Sequence, residues 1–208
     1  MKTILFQGDS ITDVGRSRED NSVVGYGYPA LVKGELGFEQ PGSFDFLNRG
    51  IAGNGIVDLY ARIKIDIINL KPDIMSILIG FNDAWNELDG KHNGVDAEKY
   101  FMIYSLLIEE IKEALPDVKI MILEPFALKT GITEKEWDVL SVEVHKRAEK
   151  AKAIAEKYNL MFIPLQDKFN QAITMMPAAY WLRDGVHPTT MGHELIKREW
   201  IKGFKKIQ

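Results

Sequence analysis

Short apolar runs that alternate with longer amphipathic segments predict an α/β protein, a three-layer α/β/α sandwich with about five parallel strands. Two of the runs, 74–79 and 119–124, are apolar almost throughout. This composition is typical of strands in a parallel sheet that is covered on both faces. Segments with helical periodicity separate the runs. The order of these segments therefore predicts strand–helix–strand units with right-handed crossovers.

The individual elements follow from these periodicities and from signals at their ends. The predicted strands are 3–6, 44–48, 74–79, 119–124 and 160–163. The predicted helices are 28–37, 56–70, 97–115, 133–158, 166–176 and 190–206. Helix 133–158 has the clearest signals. Thr133 and Glu136 have the spacing of a capping box, and Ile132 with Trp137 can form a hydrophobic staple.

Length and composition predict one globular domain over residues 1–208. A chain of 208 residues suits a domain of ordinary size. Its 46% of hydrophobic and 27% of charged residues are near the globular average, so disorder is not expected. The net charge of −4 argues against nucleic acid and anionic membranes as partners, because both need a basic face.

Several features that the sequence lacks exclude further classes of protein and of functional site. The chain has no cysteine, which removes disulfides, thiol nucleophiles and cysteine-based zinc sites. The apolar run near the start is too short for a signal peptide, and no stretch has the length of a membrane span. We therefore expect a soluble, cytoplasmic protein with no membrane partner. A homo-oligomer is compatible with the sequence.

Polar or glycine-rich loops follow the predicted strands, and ligands bind at that edge of open parallel sheets. The first loop, GDSITD at 8–13, places Ser10 just past a strand. A serine hydroxyl becomes a nucleophile when a base removes its proton. The alternatives are that Ser10 caps a helix or stabilises a turn.

The base for such a serine is most often a histidine oriented by a carboxylate. The chain has four histidines, at positions 92, 145, 187 and 193. His145 lies within a predicted helix and His92 lies in a polar loop. His187 has Asp184 three residues before it, close enough for the carboxylate to orient the imidazole. His187 is therefore the candidate base, unless it is a surface histidine beside a proline.

Acyl transfer also needs hydrogen-bond donors for the developing oxyanion. Gly53 can present an unobstructed backbone N–H, and Asn82 offers a side-chain amide after a buried strand. With the N–H of Ser10 they make three donors at three strand ends. The alternatives are a plain turn glycine at Gly53 and an Asx turn formed by Asn82 and Asp83.

Four segments together closely resemble, in their order, the four blocks of the SGNH hydrolases, also called the GDSL esterase/lipase family. They are GDSITD (8–13), NRGIAGNG (48–55), GFND (80–83) and DGVHP (184–188), and they span nearly the whole chain. The resemblance implies a flavodoxin-like fold without a cofactor. It also implies Ser10 as nucleophile, His187 as base, Asp184 as orienting acid, and Ser10, Gly53 and Asn82 as oxyanion donors.

The serine of this chain lacks the G-x-S-x-G elbow of the α/β-hydrolases, because Thr12 stands where the second glycine would be. Within the resembled family, the segments around the site are most similar to the acetylxylan-esterase-like branch. That similarity implies a serine esterase that removes acetyl groups from carbohydrate such as acetylated xylo-oligosaccharides. Trp85 and Trp181 can stack on a sugar ring or belong to the core. Asn54 and Glu124 are further candidates to line the pocket.

Two carboxylates, Asp9 and Asp13, flank Ser10 in sequence. They could hold a metal, but hydrogen bonds that stabilise the turn are the favoured role, and no metal is expected. Two other functions remain open. The same site could act on a lysophospholipid or an acyl thioester. The chain could also be a non-catalytic flavodoxin-like module that binds phosphate, although GDSITD lacks the G-x-x-x-x-G-K-[ST] phosphate cradle.

Overall fold

Five parallel strands form one sheet in the computed structural model, which describes residues 1–88 and 93–208; His92 lies outside the described residues. The strands are β1 (Lys2–Gly8), β2 (Phe44–Asn48), β3 (Ile74–Leu78), β4 (Lys119–Leu123) and β5 (Met161–Ile163). Their order across the sheet is β2-β1-β3-β4-β5, and each neighbouring pair is parallel. This is the flavodoxin-like order. The predicted fold class is therefore confirmed.

Helices follow or precede each strand. In the described residues they are α1 (Ser10–Asp13), α2 (Tyr28–Glu39), α3 (Ile56–Ala61), α4 (Ile63–Asp66), α5 (Phe81–Leu88), α6 (Ala97–Ala114), α7 (Trp137–Tyr158), α8 (Gln166–Ala172), α9 (Ala178–Trp181) and α10 (Thr190–Ile207). Short 3-10 turns lie at Ile68–Leu70 and Gly131–Thr133. None of the helices in the described ranges is both long and apolar enough to cross a membrane.

The central strands divide their side chains between two hydrophobic cores, one on each face of the sheet. In β1, Ile4 and Phe6 enter a core shared with α2, α8 and α10, whereas Leu5 enters a core shared with α3, α6 and α7. In β3, Leu78 enters the first of these cores and Ile77 enters the second. Burial of each such side chain stabilises the fold by about 1.5–3 kcal/mol. The near-continuous apolar runs in the sequence reflect this two-sided burial.

The predicted start of helix 133–158 is wrong. α7 begins at Trp137, and Thr133 ends the preceding 3-10 turn. The buried Thr133 hydroxyl donates to the carbonyl oxygens of Leu128 (2.6 Å) and Thr130 (3.0 Å). Thr133 therefore closes the loop after β4 and does not cap a helix.

The predicted helix 56–70 is broken at Arg62, where α3 ends and α4 begins. The Arg62 guanidinium turns toward the end of β2. It donates to the side-chain oxygen of Asn54 (2.9 Å) and to the carbonyl oxygen of Arg49 (2.8 Å). These contacts hold the chain in a bend at Arg62, so α3 does not continue into α4 as one helix. The predicted loop GFND also differs, because α5 starts at Phe81 and places Asn82 in its first turn.

Candidate active site

Three neighbouring strands place the predicted catalytic segments at one edge of the sheet. Ser10 begins α1 two residues after β1, Gly53 lies in the turn after β2, and Asn82 lies in the first turn of α5 after β3. The side-chain amide of Asn82 donates to the carbonyl oxygen of Asn54 at 2.9 Å. The segments after β2 and β3 are thus bonded directly, on the edge where ligands bind in sheets of this topology.

Asp9 fixes the turn that presents Ser10. Its Oδ1 accepts a hydrogen bond from the backbone N–H of Ile11 at 2.9 Å, which caps the first turn of α1. Asp9 is therefore the capping residue, and the Ser10 hydroxyl is left free for another partner. Asp13 at the end of α1 is also engaged, since it binds the Arg18 guanidinium through both oxygens at 3.0 and 2.6 Å.

Ser10, His187 and Asp184 form one hydrogen-bonded chain. Ser10 Oγ lies 3.0 Å from His187 Nε2, and His187 Nδ1 lies 2.7 Å from Asp184 Oδ2. The other carboxylate oxygen, Oδ1, accepts from the backbone N–H groups of Val186 (3.0 Å) and His187 (2.8 Å). All three side chains are partly buried.

The charge on Asp184 determines where the protons of His187 and Ser10 lie. Burial alone would raise the pKa of Asp184, but hydrogen bonds from the backbone and ring of His187 and from the Val186 N–H outweigh it and lower that pKa below its ordinary value. Asp184 is then a carboxylate at neutral pH. The Nδ1–H of a neutral His187 donates to it, and Nε2 accepts from the Ser10 hydroxyl.

The loop after β4 holds the acid and the histidine in place. The N–H of Leu128 donates to the carbonyl oxygen of Gly185 (2.9 Å), and the N–H of Ile132 donates to that of Asp184 (3.1 Å). Gly185 has φ of +93°, and a Cβ there would lie 2.6 Å from the carbonyl oxygens of both Leu128 and Thr130. Only glycine fits this close approach. The sequence analysis missed the role of this loop, although its position after a strand marks the right edge of the sheet.

The predicted oxyanion donors are available for a ligand. Neither the Ser10 N–H nor the Gly53 N–H donates to an acceptor in the part of the chain that the structure describes. Gly53 is exposed, with φ of +83°, a conformation that side chains rarely adopt. Asn82 uses one amide hydrogen for Asn54 and has a second. The Asn54 side chain is itself engaged by Arg62, at 2.9 Å.

A cleft of about 540 Å³ contains Ser10 and His187. Its lining also includes Tyr26, Arg183 and His193. Tyr26 is 76% exposed and supplies the aromatic surface of this cleft. No sequence signal marks Tyr26 as a cleft residue, because it lies between two glycines, outside the motifs that carry the predicted site.

The two predicted tryptophans lie elsewhere. Trp85 stacks on Phe81 with ring centroids 5.9 Å apart and packs against the core. Trp181 lines a neighbouring groove with Met175 and Leu195. This groove and the catalytic cleft meet at Thr190, which lines both. Sugar binding by Trp85 and Trp181 stays a prediction. Glu124 is used structurally, since its carboxylate accepts from backbone N–H groups at the start of α8.

Burial shifts the pKa values of three side chains around the site. It raises the pKa of Asp9 to about 7 and that of Asp83 to about 6. Asp83 accepts from the N–H of Ile56 at 2.9 Å, which fixes the start of α3. Burial, together with the positive charge of Arg183, lowers the pKa of His193 to about 4. His193 is therefore neutral at physiological pH.

A serine, a histidine and an aspartate that are hydrogen-bonded in this order are the arrangement typical of serine hydrolases. Comparison with family models agrees, because residues 6–195 match the GDSL-like lipase/acylhydrolase family. The chain belongs to this family, and it is a carboxylic-ester hydrolase.

Individual relatives cover almost the whole chain. An acetylxylan esterase from Geobacillus stearothermophilus is 36% identical over 99% of this chain and 95% of its own. The crystal structure of Axe2, an acetylxylan esterase from the same organism, gives a TM-score of 0.87 with 33% identity over 97% of this chain and 93% of that one. A protein described as a GDSL-like lipase from Parabacteroides merdae gives a TM-score of 0.89 with 36% identity over 98% and 95% of the two chains.

Proposed function

We propose that this protein is a serine esterase that removes acetyl groups from carbohydrate, with acetylated xylo-oligosaccharides as its substrate class. The observation that carries the proposal is the hydrogen-bonded chain from Ser10 through His187 to Asp184. The likeness to an acetylxylan esterase supplies the substrate class.

In the acylation step, His187 Nε2 takes the proton of the Ser10 hydroxyl while Oγ attacks the acetyl carbonyl carbon. Asp184 holds the imidazole in the tautomer that can accept this proton and stabilises the imidazolium that forms. The tetrahedral intermediate then collapses. The sugar oxygen leaves with the proton from Nε2, and the acetyl group remains on Ser10.

The negative charge of the tetrahedral intermediate needs donors that are already in position. The N–H groups of Ser10 and Gly53 and the amide of Asn82 are proposed to supply them. Loss of one such donor lowers the rate by roughly 10²–10³ in serine hydrolases. The bond from Asn82 to Asn54 supports this role, because it holds the amide in one orientation.

Deacylation repeats the chemistry with water. His187 takes a proton from a water molecule, and the hydroxide attacks the acetyl-serine carbonyl carbon. The second intermediate releases acetate, and the proton returns from Nε2 to Ser10 Oγ. No cofactor enters either half of this cycle.

Replacement of the nucleophile tests the proposal directly. Ser10→Ala should lower kcat for acetyl esters to near background, because the remaining groups supply only binding and oxyanion stabilisation. An organophosphonate should label the native protein, and mass spectrometry of its peptides should place the adduct on Ser10.

Ser17→Ala is the matched control, since Ser17 lies in the loop after α1 and its hydroxyl accepts backbone hydrogen bonds there. It should keep full activity. An adduct on Ser17 or Ser22, or an active Ser10→Ala protein, contradicts the assignment.

A further inference from the structure

Arg183 places an uncompensated positive charge on the wall of the catalytic cleft. The residue is exposed, directly precedes Asp184, and is held in place by a hydrogen bond from its backbone N–H to the carbonyl oxygen of His187 (3.1 Å). In residues 1–88 and 93–208 its guanidinium has no ion pair and no hydrogen-bond acceptor. Apart from Arg183 and the histidines, the lining of the cleft contains one charged residue, Asp13. Asp13 is neutralised by its ion pair with Arg18.

His193 adds a second donor to the same cleft. Its Nδ1 accepts from the backbone N–H of Tyr28 at 3.1 Å, so the proton of the neutral ring is on Nε2. A Cβ on Gly27 would lie 2.9 Å from Cε1 and 3.2 Å from Nδ1, which shows that this edge of the ring packs against the chain. The ring is only 5% exposed, lines the cleft, and its Nε2–H has no acceptor among the described residues.

The free N–H of the His193 ring and the unpaired Arg183 guanidinium both line the cleft, and together they suit an acceptor that is negatively charged. Asp184 is not this acceptor, because the hydrogen bonds to its carboxylate come from His187 and Val186. A carboxylate on the substrate can accept from the guanidinium through two oxygens, as arginine–carboxylate pairs commonly do. It can also accept from the His193 N–H.

We propose that Arg183 and His193 form a carboxylate-binding subsite, and that the enzyme prefers acetylated sugars that carry a uronic acid. This inference rests on the proposed deacetylation of carbohydrate and specifies a charged group on its substrate. Two charge-assisted hydrogen bonds to one carboxylate, one of them from the largely buried His193 ring, are enough for a preference of about tenfold.

Three sugars test the subsite, because they differ at one carbon only. Monoacetylated methyl xyloside, methyl glucoside and methyl glucuronoside carry hydrogen, a hydroxymethyl group and a carboxylate on C5. With the native enzyme, kcat/KM should be about tenfold or more higher for the glucuronoside than for the glucoside. Equal values for these two sugars overturn the proposal.

The variant Arg183→Gln should remove this preference, because it should lower kcat/KM for the glucuronoside about tenfold more than for the xyloside. Arg198→Gln is the matched control, because Arg198 lies on α10, binds Glu194 at 2.8 Å and lines the neighbouring groove. It should keep the preference. If Arg183→Gln lowers the values for all three sugars alike, Arg183 has a general role and the subsite is disproved.

His193→Asn keeps an acceptor for the Tyr28 N–H but removes the Nε2–H. It should reduce the preference while the melting temperature stays near that of the native protein. A lowered melting temperature with the preference intact would assign His193 to folding only and overturn its part in the subsite.

An inhibition assay separates this inference from the proposed function. Unacetylated methyl glucuronoside and methyl glucoside are compared as inhibitors of p-nitrophenyl acetate hydrolysis. If none of the acetylated sugars is hydrolysed, carbohydrate deacetylation fails. The subsite is still supported if the glucuronoside inhibits at least about tenfold more strongly than the glucoside and Arg183→Gln abolishes that difference. Equal inhibition by the two sugars overturns the subsite.

Discussion

Asp9 presents the nucleophile and is itself a buried acid. Its side chain caps α1 and is 2% exposed. Burial, reinforced by the charge of Asp83, raises the pKa of Asp9 from 3.8 to about 7. The folded protein therefore binds this proton more tightly than the unfolded chain does. Between about pH 4 and pH 7 the unfolded chain has lost this proton while the folded protein still holds it, so the free energy of unfolding decreases as pH rises through this interval.

The variant Asp9→Asn should remove this pH-dependent loss. Asparagine keeps an oxygen that can accept from the Ile11 N–H, but it does not ionise. We expect its free energy of unfolding to exceed that of the native protein by about 2–4 kcal/mol at pH 8, and to be close to it at pH 4. Denaturant titrations at both pH values measure the difference. An equal difference at pH 4 and pH 8 would rule out ionisation as the cause.

The proposed base gives a second prediction for a single residue. kcat/KM should rise with pH as the base loses its proton, because only a neutral imidazole can accept the proton of Ser10. His187→Ala should abolish this activity. His145→Ala is the control, since that side chain lies exposed on α7 beside Glu149 and should be dispensable. An active His187→Ala protein together with an inactive His193→Ala protein would transfer the role to His193.

Single residues also show what the sequence can and cannot predict. Ser10 is predicted as a site residue because its motif follows a strand, and Asp184 and His187 because of their Asp-x-x-His spacing; the structure brings the three together. Arg183 and His193 were not predicted as ligand contacts. The bond that fixes the His193 tautomer joins residues 165 positions apart. No local pattern reports such a partner.

Among the helices and strands, too, some features follow from local sequence patterns and others depend on distant contacts. The five strands lie close to their predicted positions, because burial on both faces of the sheet leaves an apolar run that is easy to detect. The start of α7 was misplaced, because Thr133 and Glu136 fit a capping box locally. The tertiary contacts of Thr133 with Leu128 and Thr130 are what decide its conformation. The same contacts place the loop after β4 against the catalytic aspartate.

Gly185 tests whether that loop positions the catalytic acid. Gly185→Ala would put a methyl group 2.6 Å from two carbonyl oxygens at φ of +93°. The loop and Asp184 must then separate, so we expect a loss of stability of about 1–3 kcal/mol and a larger fall in kcat than in substrate affinity.

Gly37→Ala is the matched control for this substitution. Gly37 lies in α2, where an added Cβ meets nothing within 4 Å. It should leave kcat unchanged and raise the melting temperature slightly, because alanine favours a helix by up to about 1 kcal/mol. A Gly185→Ala protein with native kcat would show that the loop supports folding alone.

At the scale of the whole molecule, two depressions adjoin at Thr190 and suggest different substrates. The cleft with Ser10 mixes the polar side chains of Arg183 and His193 with short apolar ones such as Val14 and Ala52. The neighbouring groove between α8 and α10 has the longer apolar side chains, among them Met175 and Leu195. A long acyl chain would have to cross Thr190 to reach those side chains, whereas an acetyl group fits beside the nucleophile.

Acyl length therefore decides between a deacetylase and the lipid or thioester alternative. Each methylene that reaches an apolar groove contributes about 0.8 kcal/mol, but methylenes that stay in the cleft lie near Arg183 and His193 and gain less. We expect kcat/KM to be higher for p-nitrophenyl acetate than for the octanoyl ester. Trp181→Ala should not change that order, because Trp181 lines the groove and not the cleft. If the groove binds further sugar units, this variant should slow the deacetylation of long xylo-oligosaccharides more than the hydrolysis of p-nitrophenyl acetate. Faster cleavage of the octanoyl ester, slowed by Leu195→Asp, would instead assign the groove to an acyl chain.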